Sequence, residues 1–207
     1  MKNQKKQIIE ICRLLARKGY VAATDGNVSL RAGDNRVLIT PSGINKEFLK
    51  KKDLVLTDLE GNKIKGKHKP SSEIKMHLKI YKERSDINAV VHAHPPLSLA
   101  FSYSGESLDV PVLPEVVLTL GKIPEAEYAT PTTDEVVKNL EPHIKDNNAI
   151  LMSRHGSVTM GKDIYSAYNN LEKLEHTAKI IFYSKQLGKV ITLTDEEIEK
   201  LKNINHS

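Results

Sequence analysis

The stretch NAVVHAHPP, Asn88 to Pro96, decides how the rest of the chain is read. Ala89, Val90 and Val91 form a short apolar run suited to a buried strand, and Pro95-Pro96 ends it. Side chains alternate faces along a strand, so His92 and His94 are expected on one face with Ala93 pointing away. Two neutral imidazoles on one face are able to share a metal ion; the competing reading is two partly buried polar residues near a sheet edge. The fragment alone leaves both open.

Upstream, TDGNVSLRAGDNRVLITPSGI reads as strand, turn, strand. Val28 and Leu30 alternate with polar residues, Gly33-Asp34-Asn35 turns, and Val37-Leu38-Ile39 returns. Lys52 to Asp58 reads as another strand, with a hairpin turn at Glu60-Gly61-Asn62. A helix is expected from Ser71 or Ser72, with Glu73 in its first turn and Ile74, His77, Leu78 and Tyr81 inward. Downstream come a short helix over Leu97–Ser102, a Pro-interrupted segment from Val110 to Tyr128 and a helix from Thr133 to Ile144. Strands follow at Ala149–Met152 and Val158–Met160, flanking Ser153-Arg154-His155-Gly156. A long helix then runs from Asp163 to Leu187, with Tyr165, Tyr168, Leu171, Leu174, Ala178 and Ile181 as its apolar stripe, and stops at Gly188. Helices alternating with short strands predict a layered α/β domain, and the hairpin-like pairs predict a mixed, mostly antiparallel sheet. No repeat or linker divides the chain, so residues 1–207 are read as a single domain. Residues 189–207 form its peripheral tail, whose terminal stretch, DEEIEKLKNINHS, reads as a short polar helix with a frayed end.

The 207 residues suffice for one good core and are short for two full domains. No apolar run suggests a membrane span, and the first segment, MKNQKKQIIEICRLLARKG, has helical apolar spacing without an h-region. The sole cysteine, Cys12, lies on that apolar face and can form no intrachain disulfide, so cytoplasm is the expected location. The net charge of +5 admits an anionic partner, but the lysines are scattered apart from clusters at 50–52 and 63–69. Aromatic residues are only 5%, too few to stack bases, so the expectation is a solvated basic surface and no nucleic acid.

Four loops hold polar residues where strands or helices end: Thr24–Ser29, Thr40–Gly43, Pro70–Glu73 and Ser153–Gly156. Taken singly, each is ordinary turn or capping chemistry. Together they combine glycines that allow close approach with hydroxyls and free amides at a helix start, the makings of a phosphate cradle. His155, directly after a buried strand and before Gly156, could supply a third imidazole. Three histidines and an open position describe a catalytic zinc site.

With GNVS, ITPSG, PSSE, AVVHAHP, ILMSRHG and the late helix in this order and spacing, the sequence resembles the class II sugar-phosphate aldolases of the fuculose-phosphate aldolase type. These lie within the wider aldolase, epimerase and adducin-head family, and the resemblance runs from the first helix to about Gly188. It implies a three-layer α/β/α sandwich around a mixed, mostly antiparallel sheet, and a homotetramer with active sites at subunit interfaces. It implies one Zn2+ per subunit on His92, His94 and His155, with Glu73 beside the metal as ligand and proton shuttle. It places the substrate phosphate on Gly26, Asn27, Ser42, Gly43, Ser71 and Ser72. The implied reaction is retro-aldol cleavage of a ketose 1-phosphate of the L-fuculose 1-phosphate type, through a metal-stabilised enediolate, to dihydroxyacetone phosphate and an aldehyde. Glu rather than Asp at position 73 leans away from the epimerase branch, and the intact histidines argue against the adducin-like branch.

The family has a tyrosine about twenty residues past the histidine pair that reaches a neighbouring subunit's site; this chain has Glu115 there, in VPVLPEVVLTLG. A glutamate at this point is similar to the methylthioribulose-phosphate dehydratase branch, and its plain reading is a solvated or capping residue after Pro114. The alternatives are therefore an aldolase or dehydratase acting on 5-deoxyribulose or 5-methylthioribulose 1-phosphate, or a non-catalytic adducin-like interaction module. Of the other histidines, His68, His77, His143, His176 and His206, only His77, one turn after Glu73, is a candidate to support the site from behind.

Overall fold

In the computed structural model, which describes residues 1–204, the amphipathic first segment is α1 (Lys2–Arg17), burying Ile8, Ile9, Ile11, Cys12 and Leu15. Burial pushes the Cys12 thiol up to about 12 against the opposing influence of Lys46, so it packs as a protonated apolar residue. Four strands follow: β1 (Asn27–Arg31), β2 (Arg36–Ile39), β3 (Val55–Asp58) and β4 (Lys63–Lys65). Next come α2 (Ile74–Glu83), β5 (Ala89–Ala93), α3 (Pro96–Ser104), α4 (Pro114–Thr119) and β6 (Glu125–Ala126). The chain continues through α5 (Asp134–Ile144), β7 (Ala149–Met152), β8 (Gly156–Gly161), α6 (Ile164–Leu187) and α7 (Asp195–Ile204).

One eight-stranded sheet runs in the order β4-β3-β2-β1-β5-β8-β7-β6. All neighbours are antiparallel except β6 and β7, so the sheet is mixed and mostly antiparallel, as the hairpin signals predicted. The alternation of β5 assigns its two faces. Ala89, Val91 and Ala93 join the apolar cluster beneath α1 and α6, while Val90 joins the cluster beneath α2 and α5. Helices thus cover both faces of one α/β sandwich, and β5 is buried along its whole length. A third cluster packs α3, α4 and the second half of α6 over β7. The thin edge strand β4 carries two exposed lysines, Lys63 and Lys65, which discourage pairing with another chain.

The turn after the histidine pair is held from a distance. Glu175 of α6, 2% exposed, accepts the backbone N–H groups of Leu97 and Ser98 at 3.1 and 2.8 Å and the Ser98 hydroxyl at 2.7 Å. These are otherwise unpaired donors of the first turn of α3, and a carboxylate there also complements the helix dipole. Glu175→Ala would leave them buried without an acceptor, and a loss of roughly 2–4 kcal/mol in unfolding free energy is expected in urea melts. A loss below about 0.5 kcal/mol would show that water replaces the carboxylate.

Several expectations shift in detail. The strand expected from Lys52 begins at Val55, because Asp53 Oδ2 accepts the Lys50 N–H at 3.0 Å and closes a turn first. Ser71 and Ser72 precede α2, and Glu73 is its N-cap rather than a residue of its first turn. Tyr165 leaves the buried stripe of α6: it is 42% exposed and donates its hydroxyl to Glu10 at 3.0 Å. The Pro-interrupted segment from Val110 to Tyr128 contains α4 and β6. In the tail, α7 packs on α4, and Leu193 N–H donates to Pro111 O at 2.8 Å. The expected frayed end, with His206, lies outside the described residues.

Candidate metal centre

Register brings the site together. In the ladders flanking β5, Asn27 stands opposite His92 and Ser157 opposite Ala93. The loop before β1 and the turn between β7 and β8 therefore end beside the histidine pair, and the N-cap of α2 adds Glu73. His92 is wholly buried; its Nδ1 donates to Ser157 O at 2.9 Å, which leaves Nε2 as the free ligand atom. His92 and His94 Nε2 are 3.1 Å apart, and ligand atoms of His92, His94 and His155 all lie within 4.8 Å of one another.

Glu73 lies against two of these rings, with Oε2 3.2 Å from His92 Nε2 and Oε1 2.9 Å from His155 Nε2. Burial by itself would raise its carboxyl, but the two imidazoles outweigh it and hold Glu73 well below the usual carboxylate range. Burial depresses His94 to about 3, helped by its two histidine neighbours. Burial opposes charge on His92 too, yet the Glu73 carboxylate raises that ring above its ordinary value. Among the described residues, His155 Nδ1 is buried without a hydrogen-bond partner, and Glu73 Oε1 has none beyond its close approach to the His155 ring. Crowded imidazoles, one of them uncharged, with an orphaned carboxylate oxygen among them fit a divalent cation, which would take the lone pairs now facing each other.

The glycine of the last motif has a specific task. A Cβ on Gly156 would sit 2.6 Å from His94 Cδ2, 2.7 Å from Ala93 O and 3.1 Å from His92 Cε1. Only a hydrogen fits where the β7–β8 turn passes under the two rings. Gly26, at φ +70°, is equally confined, with a Cβ meeting Val21 Cγ1 at 2.6 Å and His92 O at 2.8 Å.

The two remaining loops zip to each other. Pro41 and Pro70 form an antiparallel bridge, with Ser71 N–H donating to Thr40 O at 3.1 Å and Ser42 N–H to Lys69 O at 3.3 Å. Ser42, Gly43 and Ser72 are exposed beside this bridge, whereas Ser71 is buried with its hydroxyl accepting the Glu73 N–H at 3.3 Å. Gly43, at φ +70°, has open space where a side chain would be. Asn27 is 3% exposed with both ends of its amide engaged inside: Nδ2 donates to Glu73 Oε2 at 2.8 Å and Oδ1 meets His77.

Glu115 is exposed in the first turn of α4, whose Val116 faces the core together with the C-cap Leu120, and its carboxylate joins none of the contacts around Glu73. Sequence reasoning missed Lys46, a buried amine donating to Thr24 O at 2.6 Å and Ile44 O at 3.1 Å, which ties the first loop to the second. It also missed Ser102, which accepts the Arg154 N–H at 2.6 Å and holds Arg154 at φ +53° beside His155. The lysine cluster at 50–52 is joined in space by basic residues of α1. With Lys6, Arg13 and Arg17 it lines a separate surface hollow of about 750 Å³.

Against known proteins, the family described as Class II Aldolase and Adducin N-terminal domain matches residues 6–182. An L-fuculose phosphate aldolase of Methanococcus maripaludis is 42% identical over 181 residues, 87% of this chain and 97% of that protein. A 3-oxo-tetronate 4-phosphate decarboxylase of Haemophilus influenzae is 35% identical over 205 residues, 97% and 96% of the two chains. Among solved structures, an L-fuculose 1-phosphate aldolase superposes with a TM-score of 0.91 at 31% identity, covering 100% of this chain and 98% of the other. No helix among the described residues is long and apolar enough to cross a membrane.

Proposed function

The chain belongs to the class II aldolase and adducin N-terminal domain family, as an enzyme of its aldolase branch, and from that premise we propose that it is a zinc-dependent aldolase cleaving a ketose 1-phosphate of the L-fuculose 1-phosphate type to dihydroxyacetone phosphate and an aldehyde. The observation that carries this reading is the three-imidazole cluster with Glu73 lodged against it. A cation bound there would supply a Lewis acid to the carbonyl and hydroxyl oxygens of the substrate. An all-imidazole set with an open position favours zinc, and Glu73 is a candidate fourth ligand when substrate is absent.

The chain's own residues do the rest. Glu73, ionised at rest, is placed to take a proton from dihydroxyacetone phosphate in the condensation direction and, by microscopic reversal, to return one after cleavage. In cleavage, a base removes the proton of the hydroxyl beyond the scissile carbon–carbon bond. The electron pair of that bond passes to the dihydroxyacetone phosphate fragment, the aldehyde leaves, and Glu73, once the hydroxyl's proton has been passed to it, protonates the fragment and returns to its ionised form. The phosphate is assigned to Gly26, Asn27, Ser42, Gly43, Ser71 and Ser72, of which Ser42, Gly43 and Ser72 are the exposed members. In the homotetramer that the family resemblance implies, Glu115 would serve a neighbouring subunit's site, consistent with its exposure on α4. A cytoplasmic location goes with this reading.

The Haemophilus relative favours one competing reading, decarboxylation of a 3-oxo acid phosphate, which would also leave a carbanion to be protonated by Glu73. One assay separates the readings. Zinc-loaded protein is given a panel of ketose 1-phosphates, including the 5-deoxy and 5-methylthio ribuloses, beside 3-oxo-tetronate 4-phosphate. Dihydroxyacetone phosphate, water loss and carbon dioxide are scored, with Glu115→Gln run in parallel. Dihydroxyacetone phosphate with an aldehyde is expected from a ketose 1-phosphate, abolished by a chelator and restored by zinc, whereas decarboxylation of 3-oxo-tetronate 4-phosphate would give dihydroxyacetone phosphate with carbon dioxide. Its release from none of the sugars would end the aldolase assignment, and a chelator-insensitive protein without bound metal would favour an adducin-like module.

A further inference from the structure

Behind Glu73 a line of four polar side chains runs along the facing surfaces of β1 and α2. Tyr81, Ser29, His77 and Asn27 are 2%, 0%, 0% and 3% exposed, so water does not complete their hydrogen bonds. Tyr81 Oη is 2.8 Å from Ser29 Oγ, Ser29 Oγ is 2.7 Å from His77 Nδ1, and His77 Nε2 contacts Asn27 Oδ1. Asn27 Nδ2 then donates to Glu73 Oε2 at 2.8 Å.

The chemistry of each atom fixes one direction for the whole line. A carboxylate only accepts, so Asn27 must turn its NH₂ to Glu73 and its oxygen to His77. His77 must then carry its proton on Nε2, which leaves Nδ1 bare. A bare Nδ1 accepts from the Ser29 hydroxyl, and the Ser29 oxygen accepts from Tyr81. Were the His77 proton on Nδ1, Nε2 would draw the Asn27 NH₂ toward itself, and the amide oxygen would face the Glu73 carboxylate. Two acceptors would then meet in a buried site.

We infer that Tyr81, Ser29 and His77 are positioning residues: with the direction set at the carboxylate, they stabilise the one His77 tautomer that orients the Asn27 amide, and so hold the Glu73 carboxylate in place for proton transfer. Burial, aided by neighbouring His92, lowers His77 to about 3 and keeps it neutral, as a single-proton link requires. The inference deepens the reading of Glu73 as the proton carrier and rests on it.

Two measurements test it. In metal-free protein with ¹⁵N-labelled histidine at pH 7, His77 is expected as the neutral ring with its proton on Nε2; an Nδ1-protonated ring or an imidazolium overturns the relay. In the zinc-loaded enzyme, His77→Phe is expected to lower kcat about 10–100-fold. Its KM for the phosphorylated substrate should stay within about twofold. His77→Gln, which keeps a donor and an acceptor, should recover most of the loss. Tyr81→Phe removes one hydroxyl at the far end and should cost about threefold to tenfold in kcat, so the relay stays testable if the His77 variants do not fold. A loss confined to KM, or a glutamine variant no better than phenylalanine, would overturn the inference. If the wild type cleaves no sugar phosphate, the functional reading fails, and the tautomer still decides the relay.

Discussion

Gly156→Ala is expected to empty the metal centre without touching a ligand. The added methyl would lie 2.6 Å from His94 Cδ2 and 2.7 Å from Ala93 O, both inside contact distance. Ala93 O belongs to β5, paired to β8 through Ala93 and Ser157, so it cannot retreat without opening that ladder. His92, wholly buried, has no room to swing aside. His94 would have to turn out of the cluster, and an imidazole set reduced to two holds a cation weakly. Zinc affinity should fall by at least about 100-fold, the upper range seen when a metal-holding histidine loses its support. Thermal or urea melts of the metal-free protein should show a further loss of about 1–3 kcal/mol from overpacking. A variant with full zinc stoichiometry and an unchanged melt would mean that the turn can move away from β5.

Glu73→Gln isolates charge from shape. The side chain keeps its volume, and its amide oxygen can still accept from Asn27 Nδ2, now 2.8 Å from Glu73 Oε2. What disappears is the ability to carry a proton. A fall of about 10²–10⁴-fold in kcat is expected, the range for losing a general acid–base. The protein should stay folded and keep measurable zinc, since the three imidazoles are intact. That retention separates the result from the Gly156 variant, in which metal and activity leave together. A loss under about tenfold would assign the proton to another group, Glu115 of a neighbouring subunit being the first to examine.

How far the sequence could be read depended on where each signal was stored. His92, His94, His155 and Glu73 are each announced by a few adjacent residues, and the strand alternation of Val90 and His92 needs no partner to be seen. The antiparallel sheet was legible from hairpin turns for the same reason. The relay was not, because it joins two periodicities. Asn27 and Ser29 share a face at the strand interval of two, while Glu73, His77 and Tyr81 share one at the helix interval of four. The pattern is visible only to a reader who lays the strand against the helix. Glu175 and Ser98 are 77 positions apart and carry no local mark of belonging together. Gly156 reads as a turn glycine until the two imidazoles above it are known, and Glu115 was reached by spacing alone, which says nothing of the surface it ends on.

The placement of β5 divides the site by how readily it can open. As an interior strand, with hydrogen-bonded neighbours on both sides and apolar clusters above and below, it should exchange its amide hydrogens only through large-scale unfolding. His92 therefore belongs to the slowest-breathing part of the molecule, while Ser42, Gly43 and Ser72 sit on exposed turns free to fluctuate locally. On the proposed assignment, a sugar phosphate would come and go at the exposed turns many times before the strand relaxes once. A cation lodged at His92 should accordingly outlast many catalytic cycles, leaving at the pace of the sheet and not of turnover.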